Sequence, residues 1–221
     1  MRPRPETRRR AAPGQLLRAT LTERWVHRSF GLLMGVCIAT AAILYIGPLS
    51  IAVGRRSTVE WVHVISGAAL PLPILIGLAS RAFRADLRRL NRFSPVDWEW
   101  LRSKNRRSGR LPVGKFNAGQ KLNASFVTGA TLVMLGTGLI MRFANAWPVR
   151  WRTGATFVHD WIAYAIGIVI IGHLFFATRD PEARQGMRTG AVPEAWARRE
   201  HRGWAEEQVA AEAADDASPP G

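Results

Sequence analysis

The chain has 221 residues, of which 48% are hydrophobic, and it carries a formal net charge of +15. In a soluble protein this charge would suggest nucleic-acid binding, but the basic residues flank apolar blocks instead of alternating with aromatic residues, which argues against that class. A single cysteine, Cys37, excludes an internal disulfide, a cysteine-rich iron–sulfur site and a CxxCH attachment motif.

The chain opens with "MRPRPETRRRAAPGQ", which is rich in Arg and Pro and has no hydrophobic periodicity. We predict that residues 1–20 form a disordered basic tail attracted to the membrane surface. At the other end, "EEQVAAEAADDASPPG" is rich in Ala and acidic residues. We predict that residues 206–221 are disordered as well.

Four runs between these tails contain no Asp, Glu, Lys or Arg, and each is long enough to approach the ~20 apolar residues that span a bilayer. The runs cover residues 29–54, 61–80, 122–141 and 161–178. The first run is longer than the apolar core of a cleaved signal peptide, so we expect it to remain in the protein. The prediction is an all-α integral membrane four-helix bundle over residues 21–205, with spans at about 25–53, 60–81, 120–143 and 155–178.

Basic residues are distributed unevenly around these spans. Twenty-six Lys and Arg residues lie in the two terminal segments and the loop between the second and third spans, and five lie in the other two loops. Because the number of spans is even, the richly charged segments share one side, and the positive-inside rule places both termini in the cytoplasm. This arrangement predicts a multi-pass protein of the bacterial cytoplasmic (inner) membrane.

Features along the chain modify this outline in three places. Pro71 and Pro73 fall within the second span and should kink it. The loop sequence "RAFRADLRRLNRF" fits a short amphipathic helix at the membrane interface, or only a basic flank. After the last span, "PEAWARREHRGWAEE" suggests a second interfacial helix anchored by its Trp side chains, in which we expect His201 to be exposed to solvent or lipid.

Four of the five histidines lie at or inside the ends of spans, where an ionisable side chain is costly and usually functional. The topology places His27 and His173 near the cytoplasmic face, and His63 and His159 near the opposite face. We call His27 and His173 the inner pair and His63 and His159 the outer pair. Fourteen residues separate His159 from His173, so the two share one helix face about 21 Å apart along the axis.

Two opposed imidazoles at each of two levels are the ligands that two six-coordinate b-type haems require, so all four histidines are predicted metal ligands. Small residues near the histidines would leave room for a porphyrin edge, although they could equally serve close helix packing. These residues are Gly31, Gly67, Ala163 and Gly172. Arg24, Arg28 and Arg142 could pair with haem propionates or only anchor the spans, and Asp160 could orient His159 or only mark the interface.

Several motifs resemble a known family, the gamma or cytochrome b subunit of membrane-bound respiratory formate dehydrogenase. The resemblance covers roughly residues 20–206, and its most specific part is "VGKFNAGQK" at residues 113–121. The histidine motifs "RWVHRS", "EWVHVISG", "FVHDWIA" and "IIGHLFF" and the later "AWARREHRGW" also match in character. In that family the four histidines hold two b haems.

The resemblance implies that Asn117, Gly119 and Gln120 bind a quinone head group, menaquinone or another quinone, beside the inner haem. Asn and Gln could donate hydrogen bonds to quinone carbonyls, and Lys121 or water could help to deliver protons. Read without the resemblance, "FNAGQK" could be only a turn and helix cap before a span.

The resemblance further implies a non-catalytic electron-transfer subunit. It would receive electrons from a molybdenum or tungsten catalytic (alpha) subunit through an iron–sulfur (beta) subunit and pass them across the membrane to quinone. One alternative is the equivalent cytochrome of a hydrogenase or another molybdoenzyme. Another is a haem-free transporter or proton channel in which the histidines relay protons.

Overall fold

The computed structural model describes residues 12–216. Helices make up nearly all of its regular structure, with one pair of short strands. In chain order the elements are β1 (Gln15–Leu17), α1 (Leu21–Tyr45), α2 (Gly47–Val53), α3 (Arg56–Ala69), α4 (Pro71–Gly77), α5 (Arg81–Leu90), α6 (Pro95–Arg102), α7 (Ala118–Arg142), a 3-10 turn (Ala144–Ala146), α8 (Val149–Arg179), α9 (Pro181–Thr189), β2 (Ala191–Pro193), α10 (Glu194–Glu200) and α11 (Arg202–Asp216).

Four helical stretches of the described chain are long and apolar enough to cross a membrane. They are α1, the combined stretch Arg56–Gly77 formed by α3 and α4, α7 and α8. The predicted all-α membrane fold is therefore confirmed. The first stretch ends earlier than expected, at Tyr45, because Ile46 adopts an extended conformation and a separate helix, α2, begins at Gly47 with Pro48 in its first turn.

The second stretch is interrupted at its prolines, as the sequence predicts. Helix α3 ends at Ala69 and α4 begins at Pro71. Pro71 has no N–H to offer the Gly67 carbonyl, which instead accepts from the Leu70 N–H at 3.2 Å. The tighter turn at this point separates the two helical segments.

The structure divides into two compact units. The bundle unit comprises residues 22–87 and 122–176 and contains most of the four spanning stretches. Its buried centre is Met34, Leu70, Ala130 and Ile166, surrounded by partly buried residues that include Phe30, Ile38, Ile162 and Ile170. On α8, Ile162, Ile166 and Ile170 lie between His159 and His173, so an apolar layer separates the two histidine levels.

The loop unit comprises the described residues from 12 to 21, 88 to 121 and 177 to 216. Strand β1 pairs antiparallel with β2, with Leu16 opposite Val192. Leu16 and Val192 form a buried cluster with Trp196 and Trp204. The N-terminal segment, the long middle loop and the C-terminal segment thus fold together in one unit.

The predicted disordered tails are wrong where the structure describes them. Residues 15–17 form β1, and α11 extends through the segment 206–216. Pairing with β2 satisfies the backbone of β1, and Ala205 and Val209 of α11 pack on the buried cluster. Residues 1–11 and 217–221 lie outside the described residues.

The two expected interfacial helices have different outcomes. A helix, α5, does cover most of "RAFRADLRRLNRF". In the later segment the Trp anchors are a wrong expectation, because Trp196 and Trp204 are only 2% and 1% exposed and form the centre of the loop unit. Composition alone could not distinguish an indole at a membrane surface from one in a small buried core.

Candidate functional site

The histidines of the bundle unit meet in two pairs. The imidazole centroids of His27 on α1 and His173 on α8 lie 6.1 Å apart, with the ring planes at 50°. The centroids of His63 on α3 and His159 on α8 lie 6.3 Å apart, with the planes at 65°. These are the inner and outer pairs that the depth argument predicts.

Helix α8 sets the separation between the two levels. It runs without interruption from Val149 to Arg179, so it carries both His159 and His173. With a rise of about 1.5 Å per residue, the two side chains start about 21 Å apart along the axis and on nearly the same face. One helix therefore carries a histidine at each level, and α1 and α3 each carry the histidine that opposes it.

The distance within each pair fits a shared metal ion. Metal–imidazole bonds are about 2 Å long and a ring nitrogen lies about 1 Å from the ring centre, so two imidazoles on opposite sides of one ion have centroids roughly 6 Å apart. Within the described residues, no group of three or more His, Cys, Asp and Glu side chains could hold an ion. Two protein ligands per site match haem iron, whose other four ligands belong to the porphyrin.

Hydrogen bonds in the outer pair leave the Nε2 atoms available. The Thr40 hydroxyl lies 2.7 Å from the Val36 carbonyl and 2.9 Å from His63 Nδ1. Because the carbonyl can only accept, the hydroxyl donates to it and accepts from the Nδ1–H of His63. The Cys37 carbonyl, 3.2 Å from the same Nδ1, requires the same tautomer.

His159 has the same environment on a different helix. The Thr137 hydroxyl lies 2.7 Å from the Val133 carbonyl and 2.9 Å from His159 Nδ1. By the same reasoning His159 carries its proton on Nδ1 and has an unprotonated Nε2. In the inner pair, no ring nitrogen of His27 or His173 has a hydrogen-bond partner among the described residues.

Sequence reasoning missed Thr40 and Thr137. Each belongs to a different helix from the histidine that it contacts, so no spacing along the chain connects the two. A threonine within an apolar span commonly bonds its own helix backbone, and nothing in the sequence shows that it also meets an imidazole.

Space around the histidines is compatible with a large planar group. A Cβ added at Gly31, Gly35 or Gly172 would meet no atom within 4 Å. Close helix packing is therefore not seen at these three glycines, whereas a Cβ at Gly67 would contact Cys37 Sγ of α1 at 4.0 Å. The share of buried residues in the four spanning stretches, between 6% and 17%, also shows that the bundle builds only a small core of its own.

The loop unit contains the proposed quinone residues at the start of α7. The Asn117 side-chain oxygen accepts from the Gln120 N–H and the Gln120 side-chain oxygen accepts from the Asn117 N–H, each at 3.0 Å. This reciprocal capping box is the cap that the sequence left as an alternative. It uses only the two amide oxygens, so both side-chain NH₂ groups are left as hydrogen-bond donors.

Neighbouring side chains fix this segment. A Cβ added to Gly119 would lie 3.2 Å from the Trp100 indole, so close approach of Trp100 accounts for the glycine. The Lys121 ammonium lies 2.6 Å from an Asp97 carboxylate oxygen in a buried ion pair. That oxygen also accepts from the Ser94 N–H and hydroxyl, which ties α6 to the start of α7.

Arg142, another candidate from the sequence, is the last residue of α7. The Arg142 guanidinium stacks 4.7 Å from the Trp61 ring centre.

His201 contradicts its sequence interpretation. It is 1% exposed, its Nδ1 lies 2.8 Å from the Gly114 carbonyl, and its Nε2 lies 3.1 Å from the Arg18 guanidinium. Burial, followed by the Arg18 charge, holds the pKa of His201 well below its usual range. The neutral ring joins the N-terminal segment, the middle loop and the C-terminal segment.

Comparison with known proteins gives two results. A family model described as prokaryotic cytochrome b561 matches residues 18–190. The cytochrome b556(Fdn) subunit of the nitrate-inducible formate dehydrogenase from Escherichia coli K12 is 32% identical over 108 residues, and the proteins of the same description from Escherichia coli O157:H7 and Shigella flexneri match equally. The match covers 46% of this chain and 48% of each relative, so it spans about half of their length.

Proposed function

Because the chain belongs to the prokaryotic cytochrome b561 family, a family of membrane b-type cytochromes in electron transfer, we propose that it holds two b-type haems and carries electrons across the membrane between a dehydrogenase and quinone. Membership in a cytochrome family argues against the haem-free transporter. The observation that carries the proposal is the presence of two imidazole pairs, 6.1 and 6.3 Å between centroids, at two levels of one bundle.

The four histidines would supply all the axial ligands. Haem b bound by two imidazoles exchanges one electron at a time and has no open iron position for a small molecule. His63 and His159 would hold one group and His27 and His173 the other. The apolar layer around Met34 and Ile166 lies between these levels.

At the quinone end, we assign binding to the start of α7. The amide NH₂ groups of Asn117 and Gln120 would donate hydrogen bonds to a quinone carbonyl, while their oxygens keep the helix cap. The role of Gly119 would be to let Trp100 pack closely beside these amides. Lys121 and Asp97 would stiffen the segment through their ion pair.

The proposed partners are an iron–sulfur subunit and a molybdenum or tungsten subunit that oxidises formate. This assignment is supported by the similarity to the formate dehydrogenase cytochromes, of which about half is covered. Identifying the subunits that co-purify with the native protein tests it. A hydrogenase large subunit in place of a formate dehydrogenase would contradict the formate assignment and leave the electron-transfer proposal intact.

Haem content tests the electron-transfer proposal. The full chain, expressed with sufficient haem, should show reduced-minus-oxidised b-type bands and two haems per chain. His63→Ala and His173→Ala should each lose one haem, because each removes one axial ligand of a different pair. His201→Gln is the matched control, since His201 is bonded to Gly114 and Arg18, and it should keep both haems.

Two outcomes would contradict the proposal. A wild-type protein with no b-type spectrum would exclude haem binding. Loss of the same single haem in both His63→Ala and His173→Ala would show that the imidazoles are paired differently from the geometry described above.

A further inference from the structure

The two histidine pairs differ in what their Nδ1 atoms contact. In the outer pair each Nδ1–H donates to a threonine hydroxyl at 2.9 Å, His63 to Thr40 and His159 to Thr137. In the inner pair, neither imidazole has a hydrogen-bond partner among the residues that the structure describes. Two chemically similar sites in one bundle therefore have unequal surroundings.

This difference has an electronic consequence for a bound iron. A hydrogen bond accepted from Nδ1–H shifts negative charge onto the ring and makes the other nitrogen a more basic ligand. A more basic ligand stabilises the more positively charged, ferric state and so lowers the reduction potential. At the outer pair, the hydrogen bonds make both imidazoles more basic, so both lower the reduction potential.

Each threonine is well placed to act on its imidazole. The Thr40 and Thr137 hydroxyls each donate to the carbonyl four residues earlier at 2.7 Å. This fixes the hydroxyl proton away from the imidazole and polarises the oxygen that accepts from Nδ1–H, since consecutive hydrogen bonds reinforce each other. The helix backbone thus determines both the position and the orientation of the acceptor.

Charged residues near the histidines have opposing effects on the reduction potentials. Arg28 follows His27 and Asp160 follows His159 in the chain, and these charges would raise the potential at the inner pair and lower it at the outer pair. Arg142, stacked on Trp61 two residues before His63, opposes the effect of Asp160. The hydrogen bonds therefore need a test that leaves every charge in place.

We propose that Thr40 and Thr137 are positioning residues that lower the reduction potential at the outer pair below that at the inner pair, and so favour electron movement from the outer to the inner level. The inference rests on the proposed binding of two haems and adds the direction in which the protein is biased. At partial reduction, the inner site of the wild-type protein should hold most of the electrons.

The test is an optical redox titration of the full, haem-loaded chain. Thr40→Val and Thr137→Val keep the side-chain shape but remove the acceptor, and each should raise the potential of the outer haem, with a larger rise in the double variant. The inner haem should not change. Thr40→Ser and Thr137→Ser keep a hydroxyl and should stay close to wild type. His27→Ala and His63→Ala assign the two potentials, since each keeps one haem.

Thr131→Val is the matched control. Thr131 lies on α7 like Thr137, is 5% exposed and has a hydroxyl without a hydrogen-bond partner in the described structure. The same substitution there changes packing to a similar extent but touches no imidazole hydrogen bond, so both potentials should remain at their wild-type values. If a valine variant loses haem, the alanine variant at the same position replaces it in the titration, with the same expected direction.

The outcomes separate this inference from the proposed function. A wild-type chain that binds fewer than two haems contradicts the proposed function itself. Two bound haems whose outer potential is unchanged or lowered in the Thr40 and Thr137 variants overturn the inference alone. Equal shifts of both haems, or serine variants that shift as far as the valine variants, would show a general packing effect and overturn it as well.

Discussion

His201 illustrates, at the scale of a single residue, how a titratable side chain becomes part of a core. Its Nδ1 donates to the Gly114 carbonyl and its Nε2 accepts from Arg18. The Arg18 guanidinium lies 4.8 Å from the Trp196 ring centre and 5.1 Å from that of Trp204. Protonation of His201 would remove the acceptor and place a second positive charge against Arg18.

The lowered pKa of His201 predicts that the protein loses stability in acid. In the unfolded chain this histidine takes up a proton near pH 6.5, whereas the buried ring does not, so the unfolded state binds more protons below that pH. The contribution of His201 to the free energy of unfolding is complete above about pH 6.5. It decreases as the pH falls, by up to about 1.4 kcal/mol per pH unit. Thermal unfolding between pH 5 and 8 measures the trend.

His201→Gln is the control for this prediction, because an amide can donate and accept but does not titrate in this range. The difference in stability between wild type and variant should narrow as the pH falls from 7 to 5. A difference that stays constant would contradict the assignment of the pH dependence to His201. The other histidines are common to both proteins and do not affect the comparison.

At the scale of an element, the start of α7 combines a structural and a proposed binding role. The Asn117 and Gln120 oxygens cap the helix, and their NH₂ groups are assigned to quinone. The two roles use different atoms of the same side chains. They can therefore be separated by substitutions that keep the oxygens and remove only the NH₂ groups.

Asn117→Asp and Gln120→Glu are such substitutions. Both retain an acceptor at the cap position, so thermal stability should stay close to wild type, while quinone reduction should fall because the donors are lost. Asn117→Ala should reduce both quinone reduction and thermal stability, the latter by about 1 kcal/mol for the missing cap. Normal quinone reduction in the two acidic variants would leave the segment with a capping role only.

The four spanning stretches show where element boundaries depend on backbone chemistry. Pro71 interrupts the second stretch as expected, because a missing N–H has a local effect that sequence alone reveals. The end of α1 at Tyr45 was not expected, since the apolar run continues to residue 54. Hydropathy measures suitability for lipid and does not mark where a helix turns.

At the scale of the whole molecule, the loop unit brings together three segments that are distant in the chain. Leu16, Gly114 and His201 belong to these three segments and lie in the same unit. Most of the basic residues belong to the same segments. We therefore expect the loop unit to face the cytoplasm.

Labelling with a membrane-impermeant maleimide tests this orientation. In a Cys37→Ala background, Ser57→Cys at the start of the second spanning stretch should react in intact spheroplasts. Ser108→Cys in the middle loop should react only after the membrane is permeabilised. Both serines are exposed, so accessibility within the protein does not limit either reaction. The reverse pattern of labelling would invert the proposed topology and the direction of electron transfer across the membrane.

The sequence by itself determined the membrane class, the four spanning stretches and the two histidine pairs. Charge-free runs are set by the lipid environment, and the depth of each histidine follows from its distance to the end of a span. The charge-free runs and the depths of the histidines can both be read from positions along the chain. For this reason the inner and outer pairs could be predicted without coordinates, while the role of each histidine as a haem ligand stays a prediction.

Only the tertiary structure decided which polar groups contact the histidines and where the remaining aromatic residues lie. Thr40 and Thr137 reach imidazoles on other helices, and Trp196 and Trp204 are buried by segments distant in the chain. Such contacts depend on how helices rotate about their axes and how loops fold together. Periodicity and composition describe one segment at a time, so they contain no information about a partner from another segment.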